Sequence, residues 1–332
     1  MLKVKIFQII FIIVFFSTII HSSFCEENIN ISGKILRIGI EPILLNLFNK
    51  FSDNFYSQIS YIKNNNANDR YESIRKICQS DDISFVITTK PLNEYEKLLC
   101  KNYNEELIEE KIGYYGFVFI TKNSNDSIEF TSKTIFKALS IHSIKNFHNQ
   151  KEQYQSWNEI NKNFPNFNIK IYGPFIESSE FEFLSENFIK NNCMAIIYHQ
   201  EKFSDFLKLQ KFCKEIKNDG TYVGDNIEGR LILEKVLSEE GSYGIAPYNL
   251  YEKNNESLFY KNFNGVEPTK QNILNDKYPL SYPILIYYKK SSINASNKLM
   301  NDFLQEIKNA NMIGKNGLLV NYGLISLEEK NS

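Results

Sequence analysis

The chain has 332 residues and a formal net charge of −1, long enough for two lobes of ordinary domain size. Near-neutral charge, without a basic patch interleaved with aromatics, speaks against nucleic-acid binding. Asn, Lys, Ile, Phe and Tyr are used heavily throughout, so runs such as Asn64-Asn65-Asn66 read as composition bias rather than as motifs.

At the N-terminus, Lys3 and Lys5 precede an apolar run from Ile6 to Ile20, followed by Ser22-Ser23-Phe24-Cys25. That order predicts a secretory signal peptide over residues 1–25, with the mature chain starting near Glu26. The run falls short of the about 20 residues a membrane span needs; an uncleaved anchor is the competing reading. Phe24 stands where a lipoprotein signal wants a small residue, which disfavours lipidation of Cys25.

Next come a short strand over Ile35–Ile38 and a helix carrying Leu44, Leu45, Leu47, Phe48, Phe51 and Phe55 at helical spacing. Ile59–Ile62 reads as a strand, Tyr71, Ile74 and Ile77 as a helical stripe, Asp82–Ile87 as a buried strand and Glu94–Cys100 as a helix. Gly116–Thr121 is a strong strand. The alternation argues for α/β architecture. A second series has helices over Thr131–Leu139, Ser178–Lys190 and Ile227–Leu237, with a strand at Ile169–Tyr172 and a Gly-punctuated strand and turn over Gly241–Tyr248. Pro283 cannot donate to a ladder, so the last strand is expected to start at or just after it and to run through Lys289. A helix over Asn297–Ile307 closes the fold. Strands Gly116–Lys122 and Ile284–Lys289 then join lobe 1 (34–122 with 280–328) to lobe 2 (123–279).

Beyond Cys25, four cysteines remain: Cys78, Cys100, Cys193 and Cys213. An even count in an exported chain favours disulfides. Of three pairings, the sequence-local one is expected, Cys78–Cys100 with Cys193–Cys213; buried free thiols are the alternative. Their spacing does not fit a zinc site, and no metal is expected. No Gly-x-Ser-x-Gly elbow, His-Glu-x-x-His or P-loop occurs, so no catalytic residue, enzyme activity or cofactor is expected.

One string stands out: Gly265-Val266-Glu267-Pro268-Thr269, a short helical run, then Tyr278-Pro279-Leu280-Ser281-Tyr282-Pro283-Ile284. It resembles the return segment of the periplasmic phosphate-binding proteins of ABC importers. Asp82-Ile83 with Thr88-Thr89-Lys90-Pro91-Leu92 and Glu94, Trp157 with Ile160, Ile171-Tyr172-Gly173-Pro174 through Phe181, and Tyr243-Gly244-Ile245 resemble further segments of that family. Cys78 and Cys100 fall where one branch of the family also carries a pair. The resemblance implies a type II two-lobe periplasmic-binding fold with two hinge strands, and no chemistry beyond binding and closure. It also implies a monomeric receptor for inorganic phosphate or a similar small anion, partnered by a membrane permease in the periplasm.

The ligand loops depart from the family pattern. Where the family has Gly-Ser-Ser-Thr, this chain has Gly39-Ile40-Glu41-Pro42, which removes the hydroxyls and one N–H. The Gly- and Thr-rich second loop becomes Asn65-Asn66-Ala67-Asn68, and Asp-Ser-Gly-Thr becomes Glu177-Ser178-Ser179-Glu180. The expected ligand residues are therefore Glu41, Thr88, Thr89, Lys90, Glu177, Ser178, Ser179 and Glu180. Ser178 also reads as a plain helix cap. A carboxylate about 4 Å from an oxyanion costs up to about 4 kcal/mol at an effective dielectric constant near 20. One of Glu41, Glu177 or Glu180 can accept the proton of monohydrogen phosphate, but three cannot all face the ligand; Lys90 or Arg70 can compensate. The alternative function is an exported interaction or scaffold protein with a degenerate cleft.

Overall fold

The computed structural model describes residues 36–55, 59–63, 69–124, 126–143, 153–198, 206–225, 229–294 and 297–328. The signal segment and the loop Asn65-Asn66-Ala67-Asn68 lie outside them. Nine strands are present among these residues: β1 (Leu36–Ile40), β2 (Ile59–Lys63), β3 (Phe85–Thr88), β4 (Leu107–Thr121), β5 (Ile171–Pro174), β6 (Tyr222–Asp225), β7 (Tyr243–Pro247), β8 (Phe259–Lys261) and β9 (Ser281–Lys289). Their spatial order is β2-β1-β3-β9-β4-β7-β5-β6, with β8 added on β4. β1 pairs in parallel with β2 and β3, and β5 with β6 and β7. β4 and β9 run antiparallel to their neighbours.

The hydrophobic period of two explains the layers. Phe85, Ile87, Ile284, Ile286 and Tyr288 face one core, where Phe303 of the helix Lys298–Ile307 lies 4.5 Å from Phe85 between ring centroids. Leu47, Phe48 and Phe51 of the helix Leu45–Phe55 bury their stripe on the same side. Val86, Leu285 and Tyr287 point the other way, into a core shared with Ile74, Ile77 and Leu92. On that face a disulfide, Cys78–Cys100, joins the helices Asp69–Gln79 and Glu94–Asn102, with Cα atoms 4.8 Å apart. Cys193 and Cys213 form the second bridge, with Cα atoms 5.4 Å apart. Near β5 and β7, Trp157 is fully buried 5.7 Å from Phe130 and 5.4 Å from Tyr243.

Two strands differ from expectation. β4 begins at Leu107 rather than Gly116, and it changes partner along its length. Residues from Leu107 to Gly116 pair with β9, and Phe117 to Ile120 pair with β7. β9 begins at Ser281 and contains Pro283, opposite Tyr114. β3 joins β9 only from Leu285 onward, so at Pro283 the strand has a ladder neighbour on one side alone. A missing N–H is tolerated there as on an edge. β6 and β8, of four and three residues, were not foreseen.

Candidate cleft at the strand ends

Parallel strands β1 and β3 end side by side, and their C-terminal ends are where α/β folds gather ligand groups. The Glu41 amide donates to the Ile87 carbonyl at 3.0 Å, so the ladder continues one residue past β1. Pro42 then opens a 3-10 turn, Pro42–Leu44, and Glu41 is held extended at φ −65° and ψ 137°. A residue before proline favours that region. Gly39 is required behind this point: a Cβ there would sit 2.6 Å from Ser73 Oγ.

From this fixed backbone the Glu41 carboxylate meets the end of β3. Its Oε1 accepts from Thr88 Oγ1, and its Oε2 accepts from Thr89 N at 3.1 Å and Thr89 Oγ1 at 2.6 Å. Arg70 Nε lies 3.4 Å from Oε1 and donates to Thr88 Oγ1 at 2.9 Å. Both terminal Arg70 nitrogens also bond elsewhere. Nη1 pairs with Glu96, and Nη2 donates to the Lys90 and Pro91 carbonyls, each at 3.1 Å. Glu96 is 2% exposed and also completes the cap of its own helix, accepting from Asn93 N at 2.9 Å. An isolated buried carboxylate is costly, and this pairing offsets that cost.

The facing element is the helix Ser179–Ser185, which packs against the turn Pro42–Leu44. Ser178 caps it, its side chain accepting from Phe181 N at 3.1 Å. Glu180 is 4% exposed. Its Oε1 accepts from Asn46 Nδ2 at 3.3 Å and its Oε2 from Ser179 Oγ at 3.2 Å; among the described residues no cation pairs with it. Within reach of the Glu180 charge, Tyr115 and Tyr282 stack with ring centroids 5.8 Å apart. Burial, and then the Glu180 charge, pushes the Tyr115 phenol far above its ordinary range. Burial pushes Tyr282 well up too, followed by the charges of Tyr115, Glu180 and Glu41. The Tyr282 hydroxyl is buried without a hydrogen-bond partner among the described residues. A cavity of about 720 Å³ adjoins the cleft, lined in part by Asn46, Tyr115, Lys50, Asn249 and Lys253.

Thus Glu41, Thr88 and Thr89 come together with Arg70 on one side, and Ser178, Ser179 and Glu180 on the other. Glu177 is exposed. Lys90 takes part through its carbonyl, and its side chain is exposed. Asn46, Glu96, Tyr115 and Tyr282 were not among the residues expected from sequence. The family's Tyr-Pro-Leu-Ser string placed Tyr282 next to the motif but gave no reason to bring it into the cleft. No cluster of metal-ligating residues occurs among the described residues.

A family model described as "PBP superfamily domain" matches residues 57–310. The phosphate-binding protein PstS of Staphylococcus aureus strain USA300 is 24% identical over 229 residues, which cover 68% of this chain and 58% of that protein. This chain therefore spans somewhat more than half the length of the curated relatives it matches. A possible phosphate-binding protein from Planctomyces limnophilus superposes with a TM-score of 0.64 at 16% identity, covering 90% of this chain and 95% of that one. An ABC-type phosphate transport receptor from Vibrio cholerae gives 0.52 at 14% identity, covering 87% and 99%. These likenesses show a shared α/β fold. With the family model spanning most of the sequence, the chain belongs to the PBP superfamily.

Proposed function

We propose that this protein is an exported solute receptor of the ABC-importer type that captures a small oxyanion, phosphate foremost, in the cleft between β1, β3 and the Ser179–Ser185 helix. Its lobes, 34–122 with 280–328 and 123–279, close on the solute by hinge bending. They then present it to a membrane permease from the periplasm, as a monomer and without covalent chemistry. Among the described residues no helix is long and apolar enough to cross a membrane. The relatives named above are phosphate-binding proteins, which supports the reading.

One observation carries it. Thr88 Oγ1, Thr89 N, Thr89 Oγ1 and Arg70 converge on a single carboxylate, a donor set shaped for an oxyanion. Calorimetric titration of the purified protein with phosphate and with sulfate at several pH values tests it. Saturable heat with phosphate is expected, and absence of heat with both anions removes the transport reading. A second reading, an exported scaffold whose cleft no longer takes solute, draws on Glu180, buried there without a cation partner among the described residues.

A further inference from the structure

Resting on that reading of the cleft, we propose that Glu41 is a tethered occupant of the oxyanion seat and decides which anions enter it. A free anion gains the Thr88, Thr89 and Arg70 donors only by displacing the Glu41 carboxylate.

The argument starts from donor accounting. Both Glu41 oxygens are served, Oε1 by Thr88 Oγ1 and Oε2 by Thr89 N and Oγ1, with the guanidinium of Arg70 3.4 Å away. Four of the five Arg70 N–H groups are already engaged, by Thr88 Oγ1, by Glu96 and by the Lys90 and Pro91 carbonyls. An incoming anion therefore meets donors that are mostly taken and a guanidinium already shared by Glu41 and Glu96.

Geometry makes Glu41 a persistent competitor. Its amide is fixed to Ile87 and its φ and ψ are set ahead of Pro42, so the backbone aims the side chain at the donors without further ordering. A group on so short a tether acts at an effective concentration of about millimolar or above. The apparent affinity of a free anion falls by the fraction of molecules in which Glu41 has left. Displacement is sterically open, because the Glu41 side chain retains 16% exposure, and it needs rotation of a side chain rather than of the fold. The chemical class most like the occupant is a small monocarboxylate, which the wild-type seat should reject first.

The experiment compares wild type with Glu41→Ala and Glu41→Ser by calorimetric titration against sodium acetate, sodium sulfate and sodium phosphate. The truncated variants are expected to bind acetate, and to bind phosphate at least about tenfold more tightly than wild type. Affinities unchanged from wild type for all three anions overturn the assignment. Should the truncations fail to fold, Glu41→Gln keeps the bulk and removes the charge; the same direction of change is expected, and no gain overturns it. The two readings separate cleanly. Acetate binding to Glu41→Ala with no phosphate binding by any form leaves Glu41 as occupant and removes the phosphate receptor. Phosphate binding by wild type that truncation does not strengthen does the reverse.

Discussion

Thr89 donates both its amide and its hydroxyl to one oxygen of Glu41, at 3.1 and 2.6 Å, across 48 residues of sequence. That doubled contact joins the ends of β1 and β3 and makes Glu41 part of the wall of the cleft. Its energetic surroundings lead to four predictions.

Arg70 stands between Glu41 and Glu96, and Glu96 is 2% exposed. Arg70→Ala leaves a buried carboxylate without its cation, which typically costs about 3–5 kcal/mol. Urea unfolding should show a loss of that size. A loss below about 1 kcal/mol, the ordinary value of an exposed pair, would contradict the buried-pair account.

Glu180 presents the opposite case. Its charge is buried against one amide and one hydroxyl. Glu180→Gln keeps an oxygen for Asn46 Nδ2 and removes the cost of desolvating an anion. The variant should melt higher, by about 1 kcal/mol of added stability; a lower melting temperature would mean that a cation reaches this carboxylate.

Alkaline pH should unfold the protein through its buried phenols. Burial raises Tyr278, burial and Glu180 raise Tyr115, and Tyr282 is raised likewise, so each has a folded-state pKa above its unfolded value. Their contribution to stability is therefore complete below about pH 10, the ordinary phenol value, and is lost as pH rises above it. Phenolate absorbance should show a fraction of the 20 tyrosines ionising only together with loss of circular dichroism. Ionisation of all of them before unfolding would refute it.

Reduction of the two bridges should lower thermal stability. They span 22 and 20 residues, and loops of that size are worth roughly 3 kcal/mol each on the chain-entropy model. A melting temperature unchanged by reductant would show that neither bridge constrains the unfolded chain.

Much of the fold was legible because its buried strands are short apolar runs: Phe85-Val86-Ile87 and Phe117–Ile120 announce themselves. The first half of β4 did not, since Glu109, Glu110 and Lys111 break the apolar pattern. Their partners are tertiary: the Tyr287 and Tyr288 hydroxyls donate to Glu109 and Glu110, and Lys111 Nζ donates to Tyr114 at 2.7 Å. The site was half legible. Thr88 ends a strand, Thr89 follows it and Ser178 opens a helix, which local patterns reveal. The bond from Asn46 to Glu180 spans 134 residues and leaves no local trace. Nor did sequence indicate that the hydroxyls of Thr88 and Thr89 would turn to the chain's own Glu41.

The Cys78–Cys100 bridge ties together the same two helices that carry Arg70 and Glu96. Covalent anchorage thus lies on the same pair of helices whose ion pair holds the guanidinium beside Thr88. Cutting that staple would leave the two helices held by side-chain contacts alone, the Arg70–Glu96 ion pair among them.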